Sequence, residues 1–163
     1  MIEKKNFYIN GKWVSPAKAN DFEVINPSTE EAFAIISLGS AEDADKAINA
    51  AKIAFETWRE TTKEERLALL EKFDEIYNRR WDEMVEAQSK EMGAPLDFAS
   101  ETHTKMGADI CRNNIEILKD FNFEHQFDPK SNNHIRYEPI GVCGLITPCL
   151  LYTSDAADDR IGV

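Results

Sequence analysis

The chain has 163 residues, of which 42% are hydrophobic and 30% charged, with a formal net charge of −11. That length fits one domain, or one domain with part of another, and a mean hydropathy of −0.47 marks a soluble protein with apolar residues to spare for a core. The charge disfavours nucleic acid, because a phosphate backbone would be repelled rather than neutralised.

No apolar run approaches the roughly 18 residues that span a bilayer. Met1–Asn6 has no apolar stretch of secretory-leader length, so the expected compartment is the cytoplasm, with no membrane partner. Cys111, Cys143 and Cys149 are widely spaced and form no Cys-x-x-Cys pair, which argues against a disulfide framework. His103, His125 and His134 are too far apart to ligate zinc at i+3 or i+4 spacing, so no metal is expected.

In chain order, Phe7–Val14 gives the clearest local signal. Asn10-Gly11 sits between β-favouring residues, and a type I′ hairpin needs positive φ at both of those positions. A second hairpin is predicted from Phe22–Ile25 and Ala32–Ile36, turned through Asn26-Pro27-Ser28-Thr29. Ser40 then opens a helix, with Asp43 in the place of the usual Glu of a capping box. Ala44, Ala47, Ile48, Ala51, Ala54, Phe55 and Trp58 recur at helical spacing, and so small a face should approach its neighbour closely. Thr61 and Thr62 both offer caps to the next helix, with Glu64 and Glu65 three residues on. Its stripe is Leu67, Leu70, Phe73, Tyr77, Trp81, Met84 and Val85, with a break near Asn78-Arg79-Arg80 and a stop at Gly93, before Pro95. The aromatic residues of these stripes are expected in the core.

A third helix is predicted over 96–121, with an apolar line of Phe98, Thr102, Met106, Ile110, Ile117, Leu118 and Phe121. Residues 122–132 are turn-like, and His134–Glu138 alternates as a strand. Gly141–Thr147 is uncharged and includes Val142, Leu145 and Ile146. It has the pattern of a strand buried on both faces, ended by Pro148. In open α/β sheets ligands sit just beyond such strand ends.

The residues alone hold no catalytic constellation. There is no Gly-x-Gly-x-x-Gly, no phosphate-binding loop, no Gly-x-Ser-x-Gly and no His-Glu-x-x-His. Cys143 falls in an apolar run and Cys111 in a helix, where thiols are packing groups. Cys149 has only Leu150 and Leu151 beside it, with nothing to lower its pKa. Glu91 and Asp97 flank the turn at Gly93–Pro95 and fit surface capping.

The order Phe7-Tyr8-Ile9-Asn10-Gly11-Lys12-Trp13, Ile25-Asn26-Pro27-Ser28-Thr29-Glu30, Ala54-Phe55-Glu56-Thr57-Trp58, Arg66 and Glu138–Pro148 closely resembles the N-terminal part of the aldehyde dehydrogenase superfamily, over about residues 5–148. The resemblance implies an NAD(P)-dependent enzyme that oxidises an aldehyde to a carboxylic acid. In that family a cysteine attacks the aldehyde, hydride passes to the nicotinamide, and a glutamate activates the water that hydrolyses the thioester.

The family motif Ile-Thr-Pro-Trp-Asn matches Ile146, Thr147 and Pro148, which the resemblance assigns to the cofactor cleft. It does not match Cys149 and Leu150, so no donor stands where the family's Asn serves the oxyanion. The family's nucleophile and glutamate lie beyond the last residue, and no residue here is assigned a catalytic role.

The expected organisation is α+β, with two hairpins, three to four helices and one orphan strand, taken from an α/β family with a Rossmann-like cofactor domain. Residues 1–132 would form the hairpins and helical layer, 133–148 an extended segment and first cofactor-domain strand, and 149–163 a foreign, non-family tail. The chain alone is expected to be inactive and to bind no cofactor well. Aldehyde and homo-oligomer partners belong to the full-length family. The alternative is a non-catalytic helical interaction module using Trp58, Phe73, Tyr77 and Trp81.

Overall fold

The computed structural model describes residues 1–146, and everything below refers to these. The first hairpin pairs β2 (Phe7–Ile9) with β3 (Lys12–Val14), Phe7 opposite Val14 and Ile9 opposite Lys12. Its turn has φ 52° at Asn10 and 73° at Gly11, as a type I′ turn requires.

The second hairpin pairs β4 (Asp21–Asn26) with β5 (Glu31–Ser37). Asn26 organises the connection. Its carbonyl accepts from the amides of Thr29 (3.2 Å) and Glu30 (2.8 Å), and its Oδ1 accepts from Ser28 N (2.9 Å). Glu30 closes the loop at φ 59°. Pairing steps from Val24–Ala34 to Ile25–Ala32, which leaves Phe33 as the extra residue of a bulge. A strand absent from the sequence reading, β1 (Ile2–Lys4), adds to β5 in parallel, so the sheet order is β1-β5-β4. The central strand β5 buries Ala34 and Ser37.

Helix α1 (Ala41–Trp58) starts on the expected capping box. Asp43 Oδ2 accepts from Ser40 N (2.9 Å) and from Ser40 Oγ (2.7 Å). The other oxygen, Oδ1, accepts from Ala17 N (2.8 Å), which ties the preceding loop to the helix start. Helix α2 (Lys63–Arg79) uses the Thr62 frame: Thr62 N donates to Glu65 Oε2 (2.7 Å) and Glu65 N to Thr62 Oγ1 (3.2 Å). Thr61 instead donates to Trp58 O (2.7 Å) and accepts from Arg66 Nε (2.9 Å). The predicted break falls at Arg80, with φ −102° and ψ 22°, before α3 (Trp81–Met92). Gly93 ends α3 at φ 72° and donates to Ser89 O (2.9 Å).

The third predicted helix is continuous but not uniform. It comprises α4 (Leu96–Phe98), a π-helical segment (Ala99–Thr104) and α5 (Lys105–Asp120). One turn of π geometry inserts a residue and rotates everything after it relative to an ideal α-helix. Helix α5 packs antiparallel on α2: Tyr77 meets Gly107, Cys111 Sγ lies 3.8 Å from Leu70 O, and Lys63 Nζ donates to Lys119 O (2.9 Å). The face that α5 and the π segment bury is Ala99, His103, Thr104, Ala108, Cys111 and Ile115.

This corrects the expected apolar line. Phe98, Met106, Ile110 and Ile117 lie on the exposed side. Close helix approach selects small side chains at the contact, and the larger ones face outward.

Two further expectations are corrected. The alanine face of α1 does not pack closely. The helix buries only Asp43, and Trp58 is exposed, as is Phe73 of α2. These aromatic residues are not core among the described residues.

The segment before residue 147 also forms no strand. Ile140 is 94% exposed, Leu145 81% and Ile146 65%. An apolar strand needs neighbours on both edges to satisfy its amides, and no described residue pairs with this one. What does form just before it is a hairpin of β6 (Glu124–Gln126) with β7 (His134–Arg136). The second of these strands was expected; the first falls in a stretch read as turn.

Candidate functional site

Of the three residues that the family motif assigns to the cofactor cleft, Ile146 is described; Thr147 and Pro148 lie outside the described residues, as do Cys149 and the expected foreign tail. Ile146 sits at the end of an unpaired, open segment, and it lines none of the five cavities whose walls are defined. The segment's one left-handed residue is Gly141, with φ 135° and open space where a Cβ would stand. Such backbone holds no enclosed surface for an adenine, a ribose or a pyrophosphate. Residues 141–146 by themselves enclose no dinucleotide, and no chemical step is routed through one.

The thiols give no activated nucleophile among the described residues. Cys111 is buried at the α2–α5 contact, and burial pushes its thiol above the ordinary range, with the Asp74 carboxylate adding to the effect. A thiolate is disfavoured there. Cys143 is exposed, its Sγ 3.8 Å from Gly141 O. Glu91 and Asp97 both face solvent. No group of three or more His, Cys, Asp or Glu side chains among the described residues is arranged to hold a metal.

Two polar arrangements escaped the sequence reading. Around the π segment, both ring nitrogens of His103, Thr104 Oγ1 and Gln88 Oε1 are buried without a hydrogen-bond partner. The His103 ring packs edge-on against Phe98, with centroids 4.8 Å apart. The Tyr77 hydroxyl donates to Thr104 O (3.2 Å), and burial raises its phenol above the ordinary value. No pattern of residue types marks this cluster, because the π turn that brings it together is not encoded by any periodicity.

The second arrangement is a cavity of about 300 Å³ between the α1–α2 junction and the β6–β7 hairpin, lined by Arg59, Lys63, Arg66, Phe123, Arg136 and Tyr137 among others. Four basic residues line it together with three glutamates, Glu60, Glu124 and Glu138.

Comparison with known proteins places these observations. The model of the "Aldehyde dehydrogenase family" matches residues 13–149. A 3-succinoylsemialdehyde-pyridine dehydrogenase of a Pseudomonas species is 41% identical over 149 residues, covering 91% of this chain and 31% of that protein. Among solved structures, an aldehyde dehydrogenase from Bartonella henselae is 49% identical with a TM-score of 0.79, over 81% of this chain and 28% of the other. An aldehyde dehydrogenase C mutant from Pseudomonas syringae, solved with NAD+ and octanal, is 33% identical with a TM-score of 0.74, over 76% of this chain and 26% of the other. The chain thus spans about a third of the length of the curated relatives it matches.

Proposed function

The chain belongs to the aldehyde dehydrogenase family, and from that premise we propose that it is the N-terminal portion of a subunit whose whole form oxidises an aldehyde to a carboxylic acid with NAD or NADP. The observation that carries this reading is the family match over residues 13–149 joined to a coverage of 31% of the matched dehydrogenase. The Pseudomonas syringae relative holds NAD+ and an aldehyde, which favours the same cofactor class and substrate class here. In the whole subunit Ile146, Thr147 and Pro148 line the cofactor cleft. Alone, the chain oxidises nothing, because its described thiols are buried or without an activating neighbour.

The exposed apolar residues have a place in this reading. Ile53 on α1, Met106, Ile110 and Ile117 on α5, and Ile140, Leu145 and Ile146 in the last segment are what a larger subunit would cover. The whole protein acts in the cytoplasm as a homo-oligomer. Among the described residues no helix is long and apolar enough to cross a membrane.

The test is a graft. Residues 5–148 replace the corresponding part of the Bartonella henselae enzyme, and aldehyde-dependent formation of reduced nicotinamide is followed by absorbance. The graft is expected to fold and turn over, while the 163-residue chain shows no rate above buffer. A soluble, folded graft without activity overturns the assignment to the family's enzyme. A rate from the chain alone overturns its inactivity.

A further inference from the structure

We propose that the cavity between the α1–α2 junction and the β6–β7 hairpin binds a small organic carboxylate, held by Lys63 and Arg66. The charges in this cavity are divided between its walls. On the hairpin side, Arg136 lies opposite Glu124 in the strand pairing and 3.3 Å from Glu138. At the end of α1, Arg59 is paired with Glu60 at 3.1 Å. Lys63 and Arg66, on the first turns of α2, have no carboxylate partner among the described residues.

Both cations are half-buried, and their hydrogen bonds go to neutral acceptors. Lys63 Nζ donates to Lys119 O (2.9 Å). Arg66 donates to Thr61 Oγ1 (2.9 Å) and to Arg59 O (3.4 Å). Each cation therefore remains free to make a charge-assisted bond, which an anion supplied from outside can complete. Arg66 also lies over the Phe123 ring, 5.7 Å from its centroid, and Tyr137 joins Phe123 in the wall. The aromatic side chains suit the carbon body of the ligand and the α2 cations its carboxylate. A volume of about 300 Å³ admits a molecule of benzoate size with room to spare. The acidic hairpin wall disfavours a multiply charged anion such as phosphate.

The experiment is a titration of sodium benzoate into the isotope-labelled full chain, followed by amide chemical shifts. Benzyl alcohol at matched ionic strength is the uncharged control. Saturable shifts are expected at Thr61, Phe123 and Tyr137, with much smaller ones from benzyl alcohol. Lys63→Gln should weaken binding about tenfold, the loss of one charge-assisted contact, and Lys63→Arg should restore it. Circular dichroism checks that both variants keep the fold. Shifts that do not saturate, that benzyl alcohol reproduces, or that Lys63→Gln leaves unchanged overturn the proposal. So does phosphate binding more tightly than benzoate.

Discussion

Replacing Gly107 by alanine tests how closely α2 and α5 approach. A Cβ built on Gly107 would stand 2.5 Å from Tyr77 Oη and 3.1 Å from its Cζ. The ring cannot simply swing aside, because its hydroxyl is bonded to Thr104 O and its edges meet Phe73 and Trp81 at centroid distances of 5.9 and 6.4 Å. Alanine gains about 1 kcal/mol over glycine in a helix. Against this, overpacking costs about 1–3 kcal/mol, and losing the Tyr77 hydrogen bond costs about 1 kcal/mol.

Gly107→Ala is therefore expected to destabilise by about 1–3 kcal/mol, the hydrogen-bond loss offsetting the helix gain and the overpacking remaining. In a Tyr77→Phe background the nearest clash atom is gone. The Cζ contact at 3.1 Å remains and offsets the helix gain, so the same substitution should then be close to neutral, giving a coupling of about 1–3 kcal/mol between the two sites. Urea denaturation of the four proteins, followed by circular dichroism, measures the cycle. An equal effect of Gly107→Ala in both backgrounds, or stabilisation with Tyr77 present, would refute this account of the contact.

Gly11 and Gly93 have nearly the same φ, 73° and 72°, but a Cβ meets nothing within 4 Å at Gly11 and stands 2.9 Å from Pro27 Cγ at Gly93. Alanine at Gly11 should cost about 1–2 kcal/mol for left-handed strain alone, and denaturation midpoints should show a larger loss at Gly93. Ser40→Ala removes the α1 cap and should cost about 1 kcal/mol by the same measurement. The Ser40 hydroxyl, then the backbone amides of Ser40 and Ala17, hold the Asp43 carboxyl below its ordinary value. A depressed folded value means this stabilisation is complete above the unfolded pKa of about 3.9 and lost as pH falls through the lower folded value. Denaturation midpoints of the parent chain and Asp43→Asn should thus differ near neutrality and converge in acid. A solvatochromic dye such as ANS should bind the full chain through its uncovered apolar faces, with fluorescence falling on Met106→Lys and Ile110→Lys.

Local chemistry carried most of the legible fold. The Asn10-Gly11 turn, both capping boxes, the break at Arg80 and the stop at Gly93 each depend on a few adjacent residues, and each forms as read. Errors arose where the partner decides. In the third helix the bulky residues Met106, Ile110 and Ile117 look like core, yet the contact with α2 is made through Gly107, Ala108 and Cys111. The strand Ile2–Lys4 has no signature of its own and exists because β5 offers an edge.

Gly141–Thr147 is the opposite case. Its composition describes a strand between two others, and residues 141–146 stay open because no described neighbour supplies those amides. The same division holds at the site. The motif ending in Ile146 was readable as a string, whereas the convergence of Lys63 and Arg66 on one cavity depends on where α2 meets a distant hairpin.

The seam at Gly93 has a dynamic consequence. There the end of α3 rests on the β4–β5 turn, with Pro27 and Ser28 against the glycine. Buried residues lie on both of its sides, Ala34 and Ser37 in the sheet and Ala108, Cys111 and Ile115 in the helices. A joint this narrow lets each side open separately, so native-state hydrogen exchange should resolve two cooperative units with distinct opening free energies. A wedge at residue 93 would then uncouple the two protection plateaus before it melts either one.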